Sequence, residues 1–104
     1  MDYQLVIQFS LSDASADDFD QLLVIENELD LALRYKHQVD GHDLGSDEMN
    51  IFINTNDPTE AFRISRDVLS EKELEIVTIA LKELDGEKYS VLYPENFDDE
   101  FRIK

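Results

Sequence analysis

The chain has 104 residues, and its 25 Asp and Glu against 9 Lys and Arg give it a formal net charge of −16. It contains no Cys, which excludes disulfide frameworks, thiolate metal sites and cysteine nucleophiles. Nucleic acids and anionic membranes attract cationic surfaces, so this composition predicts that neither is a partner. No basic leader and no long apolar run is visible, and we expect one soluble cytoplasmic domain over residues 1–104.

Two long elements are predicted in the first third of the chain. Residues 3–11 alternate apolar and polar side chains, the period of a half-buried strand, with Val6 as the exception on the polar side. Residues 16–34 are predicted to form a helix because their apolar side chains keep helical spacing. These side chains are Phe19, Leu22, Leu23, Ile25, Leu29, Ala32 and Leu33.

A hairpin is predicted next. Residues 35–39 alternate weakly and are expected to form a polar edge strand, whereas residues 40–48 are rich in Gly and Asp and are expected to form a turn-rich connection. Residues 49–55 alternate again, with Met49, Ile51 and Ile53 on one face and Phe52 on the other.

A helix start follows directly. Asp57 is a natural N-cap, Pro58 suits the first helical position, and Glu60 is placed to reach back to the cap. The helix is expected to end near Ser70 or Lys72.

The last third of the chain is less clearly patterned. Residues 76–84 also fit a helix, but their β-branched start and the following Asp85-Gly86 turn favour a strand. Residues 89–93 would pair with it and end at Pro94. Apolar side chains at Phe97, Phe101 and Ile103 indicate that the tail, residues 95–104, docks onto the domain.

The resulting order is β-α-β-β-α-β-β. Over residues 1–84 this order resembles the ferredoxin-like, split βαβ architecture. The resemblance implies an α+β fold, with an antiparallel sheet of about five strands and two helices packed on one face. It implies little about activity, because many unrelated functions use this architecture.

The first candidate site is the acidic connection over residues 40–48. His42, Asp43, Asp47 and Glu48 could hold a hard divalent cation or act in acid–base chemistry. No twelve-residue calcium loop fits, and no second His follows at metal-ligand spacing. A solvated hairpin loop is therefore the favoured interpretation, and no cofactor is expected. His37 and His42 are possible acid–base residues, although a lone His in a polar strand is usually structural.

The second candidate is the sheet face opposite the helices. Because side chains alternate between the two faces along a strand, Val6 and Phe52 are expected there, together with Tyr89, Val91 and Tyr93 from the last strand. Exposed aromatic side chains on such a face can stack RNA bases, but the RNP1 consensus is absent and the charge is unfavourable. A protein partner, a second copy of the chain, or the tail itself would be the alternative cover.

The third candidate is the acidic surface. Seventeen of the 25 acids lie in residues 13–30, 40–60 and 95–100, and these three stretches contain no Lys or Arg. We expect an acidic face that binds a basic protein, as an inhibitor or immunity-type protein would. The candidate partner-binding residues are Asp17, Asp18, Asp20, Glu26, Asp43, Asp47, Glu48, Phe52, Tyr89 and Tyr93.

Two alternatives to this non-enzymatic interaction module stay open at this point. One is a metal-binding or small-ligand domain, or an enzyme, that uses the 40–48 connection. The other is a homodimeric module that pairs through the uncovered sheet face.

Overall fold

The protein is described by a computed structural model, which covers residues 1–11, 16–34, 36–45, 47–97, 101 and 103. Within these residues the chain forms five strands and three helices. In chain order they are β1 (Tyr3–Ser10), α1 (Ala16–Leu33), β2 (His37–Leu44), β3 (Glu48–Thr55), α2 (Pro58–Val68), α3 (Glu71–Ile76), β4 (Val77–Glu83) and β5 (Ser90–Tyr93). The predicted α+β class with a five-stranded antiparallel sheet is confirmed.

The strands form one sheet in the order β2-β3-β1-β4-β5, and every neighbouring pair is antiparallel. β1 is the central strand, and it pairs with β3 on one side and with β4 on the other. Because β3 lies between β1 and β2, those two strands run in the same direction, and α1 connects them.

One face of the sheet carries the main core, and we call it the helix-covered face. Alternate side chains of β1 and β3 are buried there against the inner side of α1 and against α2. The central side chains of this core are Leu5, Ile7, Phe9, Leu22, Ile25, Leu29, Leu33, Met49, Ile51, Ile53, Ala61 and Ile79.

The opposite face, which we call the second face, has a smaller apolar cluster. Val6, Ala80 and Phe101 are buried there, and Phe52, Tyr89, Val91, Phe97 and Ile103 pack around them. The rings of Tyr89 and Phe101 lie 4.9 Å apart between centroids. Phe97, Phe101 and Ile103 of the tail therefore lie on this face, while residues 98–100, 102 and 104 are outside the described part of the chain.

The prediction of two helices is wrong, because a third helix, α3, separates α2 from β4. Ser70 caps this helix: its hydroxyl accepts from the backbone N–H of Glu73, and the Glu73 carboxylate accepts from the backbone N–H of Ser70. This reciprocal capping box begins a new helix at the point where the second predicted helix was expected to end. The predicted strand 76–84 begins one residue later, at Val77, since Ile76 ends α3.

The predicted connection over residues 40–48 is also mostly strand. β2 continues to Leu44 and β3 begins at Glu48, so that the link between them is only three residues long. The sequence suggested a loop because Asp40 and Gly41 are poor strand formers. They form a bulge between Val39 and Gly41, where Gly41 has a φ of 124° that favours glycine.

Candidate functional site

The residues of the predicted 40–48 site are divided between the two faces of the sheet. His42 lies opposite Ile51 on the helix-covered face, whereas Asp43 lies opposite Asn50 on the second face. Their side chains consequently point away from each other, as neighbouring strand residues do. Among the described residues, no group of three or more His, Asp and Glu side chains is close enough to hold a metal ion.

His42 contacts α1 rather than its neighbours in β2. Its Nδ1 lies 2.9 Å from Oε2 of Glu26, and its ring makes an edge contact with Phe19 at 5.8 Å between centroids. This pair joins the edge strand to the helix. Glu26, predicted as a partner-binding residue, is thus engaged within the fold.

Glu48 is buried on the second face in a polar cluster with two amide side chains. Asn50 Nδ2 donates to Glu48 Oε2 at 2.8 Å, and Gln8 Nε2 donates to the same oxygen at 3.2 Å. Gln8 also donates to Asn50 Oδ1 at 3.1 Å. The Glu48 carboxylate is therefore part of the interior of this face, and Asp47 lies in the short link before it.

The aromatic candidates do not form one exposed surface. Phe52 and Tyr89 pack around the Phe101 cluster, and burial raises the pKa of Tyr89 above its ordinary value. Tyr93 lies on the helix-covered face instead, where its hydroxyl donates to the Leu74 carbonyl at 3.0 Å. The predicted face is wrong for Tyr93, because an irregularity opposite Ile79 and Ala80 inserts one extra residue in β5 and shifts the alternation of its side chains.

A series of side-chain hydrogen bonds that was not predicted joins β2, β3 and α2. His37 is buried, with Nδ1 at 2.6 Å from Thr55 Oγ1 and Nε2 at 2.9 Å from Glu60 Oε1. Thr55 Oγ1 also accepts from the backbone N–H of Asp57 at 2.9 Å. In a neutral imidazole, which has one donor and one acceptor nitrogen, Nε2–H would donate to Glu60 and Nδ1 would accept from the Thr55 hydroxyl.

These hydrogen bonds connect a hydroxyl, an imidazole and a carboxylate in the order that nucleophilic catalysis uses. Thr55, however, is completely buried, so that a substrate cannot reach its hydroxyl. The arrangement instead fixes the start of α2, where Asp57 Oδ1 accepts from the backbone N–H of Glu60 at 3.2 Å. The predicted N-cap and Pro58 are confirmed, but the Glu60 carboxylate binds His37 rather than reaching back to the cap.

The charge of Glu60 is stabilised by the same contacts. The hydrogen bond from His37 lowers the pKa of Glu60 below its ordinary value, desolvation opposes the change, and Lys36 at 3.4 Å adds to the lowering. Nothing in the spacing of His37, Thr55 and Glu60 signals this contact, because it depends on how β2 and α2 meet at one end of the sheet.

The surface with both acidic and apolar character is the outer side of α1. Leu23, Val24 and Leu31 are 40%, 50% and 54% exposed, although they belong to a helix whose inner side is fully buried. Asp20 and Glu28 are exposed on the same outer side. Asp17 and Asp18 lie in the first turn of α1, and the side chain of Asp17 is outside the described part.

A groove of about 390 Å³ runs beside this surface, between α1 and β2. Its walls include the carboxylates of Glu26, Asp30 and Asp40, and none of the described residues that line it is a Lys or an Arg. Asp30 also pairs with Arg34 at 3.5 Å, next to the groove. The groove is lined by Leu23, Glu26, Asn27, Asp30, Val39, Asp40 and Gly41.

No helix among the described residues combines the length and the apolarity needed to cross a membrane. A scan against protein-family models and searches of curated proteins and of solved structures found no match to the chain.

Proposed function

We propose that the protein is a non-enzymatic interaction module that binds a basic protein partner, as an inhibitor or immunity-type protein does. The observation that supports this most is the outer side of α1, where exposed Leu23, Val24 and Leu31 lie among carboxylates. Apolar side chains supply the affinity of a protein interface, and surrounding charges select the partner and speed its approach.

The excess of acidic residues indicates that the partner's binding surface is positively charged. If every Lys and Arg neutralised one carboxylate, sixteen of the 25 acids would still lack a cation, since 25 − 9 = 16. A partner whose own site is cationic, such as a protein that acts on nucleic acid, would supply the missing charges. The absence of Cys is compatible with the cytoplasm, which we propose as the compartment.

The fold proposed for this module is of the ferredoxin-like type. The placing of β3 between β1 and β2, with α1 as the connection, supports this assignment. α3 and β5 would then be additions to that core. The homodimeric alternative stays a prediction; Phe101 packs against Val6 and Ala80 on the second face through which the two copies would pair.

The function can be tested by capturing proteins from a cell lysate on the immobilised, purified protein. The capture is done at about 50 mM and at about 500 mM salt, since electrostatic attraction between surfaces is screened over this range. We expect basic proteins to be retained at low salt and released at high salt. The variant Asp20→Asn/Glu28→Gln should retain less of them. The variant Glu71→Gln/Glu87→Gln removes two exposed acids elsewhere and is the matched control. Retention of no protein at either salt concentration would contradict the proposal.

A further inference from the structure

α1 carries apolar side chains on two opposite sides. Leu22, Ile25 and Leu29 face the core, whereas Leu23, Val24 and Leu31 lie on the outer side. At 1.5 Å per residue the outer side chains extend over about 12 Å, or two helical turns. We call Leu23, Val24 and Leu31 the outer stripe. None of the three is among the buried core residues or among the partly buried side chains that pack against them.

Acidic groups border the outer stripe on both sides. Glu28 lies on one side, and the groove between α1 and β2 lies on the other, with Glu26, Asp30 and Asp40 in its walls. The groove remains open beside β2 partly because Gly41 has no side chain, and no atom lies within 4 Å of the position a Cβ would take.

We propose that the outer stripe and the groove together dock one cationic amphipathic helix of the partner. Such a helix presents apolar side chains every three to four residues over two turns, which matches the stripe, and its flanking Lys or Arg side chains would reach Glu28 and the groove. The inference rests on the proposed function and adds to it the contacting element and its place.

The surroundings favour this occupant over the two alternatives. A second copy of the chain would bring another 16 negative charges onto an acidic surface, which opposes self-association there. An added strand at this place would have to pair with β2, the edge strand beside the groove, but the bulge at Val39/Gly41 interrupts its regular backbone.

Two synthetic peptides of roughly 18 residues test the inference, one a Leu/Lys sequence with helical amphipathic spacing and the other a scrambled sequence of the same composition. We expect the amphipathic peptide to bind at least about tenfold more tightly by fluorescence anisotropy, and to shift amide signals of α1. Leu23→Ser/Leu31→Ser should reduce the difference between the peptides to about twofold or less.

Leu44→Ser/Ile76→Ser is the matched control, because these side chains are 40% and 44% exposed, belong to elements other than α1 and do not line the groove. It should leave both affinities unchanged, and circular dichroism verifies that each variant is folded. Equal binding of the two peptides, equal effects of the two variants, or shifts confined to β2 would overturn the docking site. In those cases salt-sensitive binding of the peptides to the protein would leave the proposed function standing. If neither peptide bound, both the docking site and the proposed function would be contradicted.

Discussion

His37 connects three elements through two hydrogen bonds, although its side chain is almost completely buried. Each of its nitrogens has one partner, Thr55 on β3 and Glu60 on α2. The imidazole thereby positions the end of the sheet against the first turn of α2. The sequence offered only a lone His in a polar strand, and the contact exists because two segments about 20 residues apart are brought together.

Replacing His37 by Ala should cost about 2–4 kcal/mol in the free energy of unfolding. The change leaves the buried Thr55 hydroxyl without its imidazole partner and creates a cavity. Urea denaturation measures the loss. His42→Ala is the control, because His42 is more exposed and makes one hydrogen bond within the described part of the chain, to Glu26. Its loss should stay below about 1 kcal/mol. Equal losses for the two variants would contradict the role given to His37.

Stability should fall in acid partly through Glu60. Because its pKa is lower in the folded chain than in the unfolded chain, its contribution is complete above the unfolded pKa and is lost as the pH falls through the folded pKa. The urea midpoint of the wild type should therefore decline below about pH 4.5 more steeply than that of Glu60→Gln. Parallel pH profiles for the two proteins would show that the carboxylate contributes nothing.

At the scale of elements, the sequence predicted those whose side chains follow one period. β1, α1 and β3 were placed within about one residue of their ends, since alternation or helical spacing runs through each of them. α3 was missed because it has only six residues and buries none of them completely. Its start was nevertheless visible as Ser70 followed by Glu73 at capping-box spacing.

The faces of the strands were predictable only where no bulge intervenes. Extra residues at Asp40 and in β5 reverse the parity of the residues beyond them, which explains why His42 and Tyr93 lie on the helix-covered face. The separation of His42 from Asp43 has another cause, since adjacent residues of a strand point to opposite faces. Helical spacing alone does not reveal the exposure of the outer stripe, since Leu23 is one of the apolar side chains that keep this spacing in α1.

The capping box of α3 should be measurable. Ser70→Ala removes the hydroxyl that accepts from the Glu73 backbone, and we expect a loss of about 1 kcal/mol in the free energy of unfolding. Thermal or urea unfolding detects a change of this size. Ser90→Ala is the control, because Ser90 is exposed at the start of β5 and caps no helix. A Ser70 variant as stable as the Ser90 variant would argue against the cap.

At the scale of the whole molecule, the charge opposes the fold that carries it. The described part of the chain extends about 33 × 31 × 23 Å, so many of its like charges are separated by more than the Debye length of about 10 Å at 0.1 M salt. Repulsion between them acts fully at low salt and is screened as salt is added. Added salt should therefore stabilise the folded state of this protein, whereas it would destabilise a protein that depends on surface ion pairs.

Raising NaCl from about 20 mM to about 200 mM should accordingly increase the urea midpoint. The Asp20→Asn/Glu28→Gln variant has a net charge of −14, two charges fewer than the −16 of the wild type, and should gain less from the same salt. A midpoint that falls with salt would mean that attractive pairs such as Lys36–Glu60 outweigh the repulsion.

The central position of β1 has a consequence for the motions of the chain. Leu5, Val6 and Ile7 are all fully buried, and the backbone of β1 is hydrogen-bonded to a strand on each side. Local opening cannot release its amide protons, so their exchange with deuterium should require unfolding of the entire sheet. Mass spectrometry should find β1 the slowest segment to exchange and β5, a four-residue edge strand, among the fastest. Fast exchange in β1 would mean that the sheet opens through its centre.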